Sequence, residues 1–79
     1  MSNTSNTEGL KSLADKWPSA FVARQEVFKF SGGIVSEKSL ANHDSLGTGV
    51  KGRFRVGKKI CYPVSNLIEW LESRATRLN

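Results

Sequence analysis

The chain has 79 residues, a net charge of +5, a single cysteine, Cys61, and a single histidine, His43. This length allows one small domain, which rarely encloses a substrate pocket together with catalytic groups. One cysteine excludes an internal disulfide, and we expect no metal site, no cofactor and no enzymatic activity. The excess of positive charge suits a polyanionic partner, although a charge that only aids solubility stays an alternative.

The N-terminal part differs in composition from the rest. Residues 1–9 are polar and unpatterned, and a weak helical period from Leu10 ends at Trp17, because the residue before Pro18 avoids the helical region. We therefore predict a flexible tail over residues 1–16, with room for a short helix, and one folded domain over residues 17–79. Trp17 is either a lid over the core of that domain or a contact for a partner.

Residues 23–46 have the pattern of two short helices that are joined by a glycine turn. Ala23, Val27 and Phe30 recur at helical spacing and predict one face of the first helix. The glycine pair at 32–33 can take the left-handed conformation that ends such a helix. Two helices in this arrangement are typical of a helix-turn-helix.

The second helix begins after Ser36. The hydroxyl of Ser36 can accept the free backbone N–H of Ser39, and Glu37 suits the positive end of the helix dipole. We predict this helix from Glu37 to about Asp44, with Leu40 as its only strong apolar residue. Such a helix exposes most of its surface, which suits either entry into the major groove of DNA or a solvated position on a scaffold protein.

Alternating apolar and polar residues on both sides of Gly57 and Lys58 predict a β-hairpin. The predicted inward residues are Phe54, Val56, Ile60 and Tyr62, and the predicted outward residues are Arg53, Arg55, Lys59 and Cys61. The outward face would then be basic, and a surface with one sign of charge suits phosphates or a minor groove. The alternative is a solvated edge whose lysines block the addition of another strand.

Pro63 ends the hairpin and suits the start of a last helix, which we predict over residues 64–75. The apolar face of this helix contains Val64, Leu67, Ile68, Trp70, Leu71 and Ala75. We predict that Trp70, Leu71 and Leu67 are buried together with Phe54. The order of elements predicts an α+β fold of the winged helix-turn-helix type, with a helix-turn-helix, a two-stranded basic wing and a C-terminal helix.

Two sets of residues are candidates for DNA contact. In the second helix, Lys38 can donate to guanine, Asn42 can pair with adenine, and Glu37 can accept from cytosine. The recognition-helix set is Ser36, Glu37, Lys38, Ser39, Asn42 and His43, and the wing set is Lys51, Arg53, Arg55, Lys58 and Lys59. For His43 the alternatives are a phosphate contact, a metal ligand and a partly buried, hydrogen-bonded histidine.

About 50 of the 79 residues resemble the MerR-like winged-helix superfamily, in particular its small excisionase and AlpA-type regulators. The resemblance rests on an ordered set of short pieces: Arg24-x-Glu26-Val27, Gly32-Gly33-Ile34-Val35-Ser36, Leu40, Val56-Gly57-Lys58-Lys59, Tyr62 and Leu67-x-x-Trp70-Leu71. It implies that residues 36–43 enter the major groove and that residues 53–59 contact the backbone or the minor groove. One departure is His43, which stands where the family usually has a second apolar anchor.

These features predict a protein that binds double-stranded DNA, either as an excisionase that directs recombination or as a small transcriptional regulator. An integrase or recombinase is then an expected second partner, and we expect a monomer in solution or weak self-association on DNA. The N-terminus lacks the features of a signal peptide, and no apolar stretch is long enough to span a membrane, so we expect a cytoplasmic, nucleoid-associated protein without a membrane partner. One alternative is an interaction module whose basic hairpin and Trp17 bind an acidic protein. RNA binding is less favoured because the hairpin is expected to expose no aromatic rings.

Overall fold

The computed structural model describes residues 5–76, with side chains from residue 9 onward. These residues form four α-helices, a 3-10 turn and a three-stranded antiparallel sheet, which confirms the α+β class. The elements are α1 (Ser5–Lys16), β1 (Phe21–Ala23), the 3-10 turn (Arg24–Glu26), α2 (Val27–Phe30), α3 (Glu37–Leu46), β2 (Phe54–Val56), β3 (Lys59–Pro63) and α4 (Val64–Arg74). Residues 1–4 of the predicted tail and residues 77–79 of the predicted domain lie outside the described part.

Helix α1 lies in the segment that the sequence assigned to the tail. Its Leu10 and Leu13 pack against the core. The helix ends before Trp17, whose indole N–H donates to the backbone oxygen of Phe21 at 2.9 Å. The Trp17 ring also meets the Phe30 ring edge to face, with centroids 5.4 Å apart. Trp17 therefore packs over the core as a lid.

The first helix of the predicted pair begins later than expected. Residues Phe21–Ala23 form strand β1, and the helical part consists of the 3-10 turn followed by the short α2. Val22 pairs with Tyr62 in the sheet, and both side chains are fully buried. Pairing with β3 and burial of Val22 outweigh a helical conformation here, so the prediction of Ala23 on a helix face was wrong. Val27 and Phe30 are buried on the helical part.

The turn and the start of α3 match the prediction. Gly32 and Gly33 have φ angles of 68° and 89°, in the left-handed region that favours glycine. The Ser36 hydroxyl accepts the backbone N–H of Ser39 at 3.1 Å and caps α3. The helix continues to Leu46, two residues beyond the predicted end at Asp44.

The hairpin turn lies at Gly57 and Lys58, where the sequence predicted it, but the residues on its two faces differ from the prediction. Gly57, at φ 62°, is the first residue of a two-residue turn, so Val56 pairs with Lys59 and Phe54 pairs with Cys61. Directly opposed residues share a face, which puts odd-numbered residues of one strand beside even-numbered residues of the other. The predicted inward set was therefore wrong: Phe54 and Val56 lie on the face opposite Ile60 and Tyr62.

The sheet has three strands in the order β1–β3–β2, where the sequence predicted only two. Val22, Ile60 and Tyr62 share the face that packs on the core. The other face, which we call the outer sheet face, carries Phe21, Ala23, Phe54, Val56 and Cys61. On it the rings of Phe21 and Phe54 meet edge to face at 5.0 Å, and the Val56 residue is 62% exposed.

Helix α4 closes the domain, and its inward side completes the core. The buried apolar residues are Val22, Val27, Phe30, Val35, Leu40, Val50, Tyr62, Val64, Leu67, Ile68 and Leu71. Leu67 and Leu71 are buried as predicted, whereas Trp70 is half-buried at the rim and Phe54 lies outside this cluster. Within residues 5–76, no helix combines the length and apolar character that crossing a membrane requires.

Candidate nucleic-acid interface

Helix α3 has one inward side and one free side. Leu40 and Asp44, one turn apart, are both buried. Glu37, Lys38 and Asn42 are exposed, and Lys38 and Asn42 are four residues apart on the side opposite Leu40. Three residues of the predicted recognition set are therefore accessible together.

Ser36, Ser39 and His43 have roles inside the protein. The Ser36 hydroxyl is occupied as the acceptor of the N-terminal cap, and Ser39 and His43 line a groove between α3 and α4. The His43 ring meets the Trp70 ring edge to face at 5.2 Å, and its Nδ1 lies 3.0 Å from Thr48 Oγ1. His43 is therefore the partly buried, hydrogen-bonded histidine that the sequence offered as one alternative.

All five cationic residues of the predicted wing are exposed, but two of them have partners within the domain. Arg53 donates from Nη1 to the backbone oxygen of Val50 at 3.2 Å, and the Lys59 ammonium donates to Gln25 Oε1. In the part of the chain that the structure describes, no side-chain hydrogen bond or ion pair engages the remaining three. These three free cations are Lys51, Arg55 and Lys58.

The hairpin does not separate charge and apolar surface in the way the sequence predicted. Lys59 shares the outer sheet face with Phe54 and Val56, whereas Arg55 pairs with Ile60 on the other face. The outward face is therefore partly apolar, and the prediction of a wholly basic outward face was wrong. The expectation that the hairpin exposes no aromatic ring also fails in part, because Phe54 is only half-buried beside the 49% exposed Phe21.

The start of α3 and the tip of the hairpin border the same depression. Glu37, Lys58 and Lys59 line a cleft of about 130 Å³ together with Arg24, Gln25 and Ile60. We call it the shared cleft. Its presence means that the N-terminal end of α3 and the hairpin turn face one side of the molecule, although they are about 20 residues apart in sequence.

A buried polar cluster lies beneath this surface. The Tyr62 hydroxyl donates to Asp44 Oδ2 at 2.6 Å, and Arg24 donates from Nη2 to the same oxygen at 2.7 Å. Arg24 also donates from Nε to the Tyr62 hydroxyl oxygen at 2.9 Å. Burial lowers the pKa of Arg24, but its hydrogen bonds to Tyr62 and Asp44 raise the pKa by more. We call Arg24, Asp44 and Tyr62 the Asp44 cluster.

The sequence interpretation missed the Asp44 cluster. It took His43 as the residue at the position of the second inward anchor of α3, one turn after Leu40. In the structure Asp44 is the buried residue there. The i, i+4 spacing of Leu40 and Asp44 is the signal that could have identified Asp44 as inward-facing. An arginine upstream, Arg24, could then have been considered as its ion partner.

The described residues contain no grouping of three His, Cys, Asp or Glu side chains that could hold a metal ion. Cys61 is a free, half-buried thiol on the outer sheet face. Neither feature adds a second chemical site to the surface around α3 and the hairpin.

Comparison of the chain with protein-family models gave no match, and comparisons with curated proteins and with solved structures gave none either. The resemblance to the MerR-like superfamily therefore stays a prediction that rests on the residues quoted for it.

Proposed function

We propose that this chain is a small winged-helix domain that binds double-stranded DNA. In this proposal α3 lies in the major groove and the β2–β3 hairpin contacts the phosphate backbone or the minor groove. The observation that carries the proposal is the shared cleft, where Glu37 of α3 adjoins Lys58 and Lys59 of the hairpin turn. A duplex laid along this side would meet the helix and the hairpin together.

The free side of α3 has suitable chemistry for base edges. The major groove is wide enough for one helix, and the donors and acceptors of each base pair there form a distinct pattern. Lys38 supplies a donor for guanine, Asn42 supplies both a donor and an acceptor for adenine, and Glu37 supplies an acceptor for cytosine. All three are exposed.

The hairpin would supply affinity rather than sequence discrimination. Phosphate contacts depend on charge and carry little sequence information. Lys51, Arg55 and Lys58 have ammonium or guanidinium groups that no described side chain engages, so they can neutralise phosphates without breaking an internal bond. Arg53 would first have to share or release Val50 and Asp44, and Lys59 would have to share or release Gln25.

For the biological role we propose an excisionase or a small transcriptional regulator. Both roles use the same contacts with DNA, and an excisionase would also meet a recombinase. The small size of the domain and its net charge of +5 suit either role.

The test has two steps. A preferred site is first selected from a pool of random duplexes. The full chain is then titrated with a random 30-base-pair duplex at two salt concentrations, and binding is followed by fluorescence anisotropy. We expect a preferred sequence and a steep loss of affinity with salt. Enrichment of no sequence, or tighter binding to single-stranded RNA of equal length, would contradict the proposal.

The outer sheet face favours one alternative, an interaction module that binds an acidic protein. Phe21, Phe54 and Val56 form an exposed apolar surface with Lys59 at its border, and this mixture suits a protein partner better than it suits a phosphate backbone. Val56→Ser removes apolar surface there without changing charge. If this variant binds duplex DNA as the wild type does, the outer sheet face is not part of the DNA interface.

A further inference from the structure

Three side chains, one in β3 and two on residues directly next to β1 and β2, lie around one carboxylate on α3. Arg24 directly follows β1, Arg53 directly precedes β2, and Tyr62 lies in β3. Two of these groups hydrogen-bond to Asp44 Oδ2, and the third, Arg53 Nε, lies 3.8 Å from Asp44 Oδ1. Asp44 is thus hydrogen-bonded to β3 and to the residue that follows β1, and it lies within ion-pair distance of the residue that precedes β2.

This connection is buried and directional. Asp44 is 9% exposed and Tyr62 is fully buried, so water cannot readily replace the bonds between them. The other inward residue of α3, Leu40, makes apolar contacts, which tolerate sliding and rotation of a helix better than hydrogen bonds do. Leu40 holds α3 on the core, while Asp44 restricts its rotation and tilt relative to the strands.

Orientation matters differently for the two kinds of DNA contact. Hydrogen bonds to base edges require a donor and an acceptor within a few tenths of an ångström of their best distance, whereas an ammonium group attracts phosphate over a wide range of positions. A small rotation of α3 would therefore misplace Lys38 and Asn42 against the bases and leave the hairpin contacts with phosphates almost unchanged.

We propose that Asp44 is a positioning residue that fixes the angle between α3 and the hairpin and thereby determines how well the protein discriminates between DNA sequences. Asp44 does not itself contact DNA, because its carboxylate is buried among Arg24, Tyr62 and Arg53. This inference rests on the proposed DNA-binding function.

The first test is Asp44→Asn, with Asp15→Asn as the matched control. Both substitutions remove one negative charge, but Asp15 is exposed on α1. We expect Asp44→Asn to weaken binding to the selected site by at least about tenfold, in the range that loss of a base contact produces. Binding to the random duplex should stay the same or become tighter, because the net charge has risen. Asp15→Asn should change both affinities by the same small factor.

The second test is Tyr62→Phe, which keeps a buried aromatic ring and changes no charge at neutral pH. It removes only the hydroxyl that joins Asp44 and Arg24. This variant covers the case in which Asp44→Asn does not fold. We expect the same selective loss on the preferred site, smaller than for Asp44→Asn, since the bond from Arg24 to Asp44 remains.

Parallel losses on specific and random DNA, or no loss on either, would overturn the positioning role of Asp44. Failure of the proposed function would give a different result: the wild-type protein would bind no duplex. The coupling can then still be measured in the free protein by amide NMR of the Tyr62→Phe variant. Shifts in both α3 and β2 are expected, and shifts confined to residues next to position 62 would contradict the coupling.

Discussion

The Tyr62 hydroxyl, on the central strand β3, donates a hydrogen bond of 2.6 Å to Asp44 Oδ2 on α3. Burial, followed by the hydrogen bond to Asp44, raises the pKa of Tyr62, and the hydrogen bond from Arg24 lowers it, so that the net pKa is about 12. The neutral hydroxyl is therefore the form that the fold requires. The hydrogen bond that this hydroxyl donates is one of the contacts that join α3 to the sheet, beside the bond from Arg24 to Asp44.

The stability of the protein should fall between pH 10 and pH 12. The pKa of Tyr62 is about 12 in the folded protein and about 10 in an unfolded chain, so over this range the folded state holds a proton that the unfolded state has lost. The full contribution is present below pH 10 and is lost as the pH rises through 12, by roughly 2–3 kcal/mol. Urea unfolding at several pH values measures this loss. Tyr62→Phe, the control, should show a clearly smaller slope over the same range, and an equal slope would assign the loss to other groups.

Gly49→Ala should destabilise the protein through Asp44. A Cβ at position 49 would overlap Asp44 Oδ1 and lie 2.9 Å from Asp44 Cα, although the φ angle of Gly49 is outside the left-handed region. We expect a loss of about 1–3 kcal/mol, which is typical of overpacking a filled site. Thermal unfolding measures it. Gly9→Ala is the control, since a Cβ there meets nothing within 4 Å and the helix α1 should gain slightly. If Gly49→Ala unfolds at the same temperature as Gly9→Ala, the loop accommodates the added methyl group without a loss of stability.

Trp70→Ala should lower the free energy of unfolding by about 2–3 kcal/mol. This is less than the loss of about 3–5 kcal/mol that is typical when a fully buried aromatic residue is replaced by alanine. Trp70 is half-buried at the rim, where its indole N–H donates to the backbone oxygen of Thr48 at 2.9 Å and its ring packs on His43. Chemical denaturation measures the change. Leu46→Ala is a suitable comparison because Leu46 is 75% exposed, and it should alter stability by less than about 0.5 kcal/mol. Equal effects of the two substitutions would mean that the Trp70 contacts contribute little.

Lys58→Ala should weaken binding to all DNA sequences, because one phosphate contact is lost. The slope of the logarithm of the binding constant against the logarithm of the salt concentration should become shallower by about one unit. Arg55→Ala should act in the same way. Anisotropy titrations over a series of salt concentrations measure the slope. Lys11→Ala is the matched control, since it removes the same charge from the exposed surface of α1, which does not line the shared cleft. If Lys11→Ala and Lys58→Ala reduce the slope equally, general charge rather than the hairpin determines affinity.

Lys38→Ala and Asn42→Ala should each reduce the free energy of binding to the selected DNA site by roughly 1–3 kcal/mol. Each should change binding to random duplex only slightly. Both side chains are exposed on the free side of α3, so neither substitution removes a contact of the core. The measurement is the ratio of the two affinities for each variant. Equal losses on both duplexes would make α3 a phosphate clamp and leave any sequence preference to the shape of the DNA.

Local signals in the sequence were sufficient for several elements. The cap at Ser36, the glycine turn at residues 32–33, the hairpin turn at Gly57 and the apolar period of α4 depend on interactions within a few residues. The accessibility of Lys38 and Asn42 also followed from the position of Leu40 on one helix. These features are determined by the chain itself because their partners are near neighbours.

The tertiary structure decided the features whose partners are distant in sequence. Strand β1 exists because Val22 pairs with Tyr62, 40 positions later in the chain, and no pattern within three residues reveals that pairing. The turn at Gly57 already implied which hairpin residues share a face, because opposed residues lie on the same face. The choice of the face that packs on the core came from the pairing of Tyr62 with Val22. From the sequence, the polar Asp44 is expected to be exposed to solvent. In the fold it is buried because Arg24 and Tyr62 donate hydrogen bonds to it. A buried carboxylate is stable only with such partners, and the fold alone brings them together.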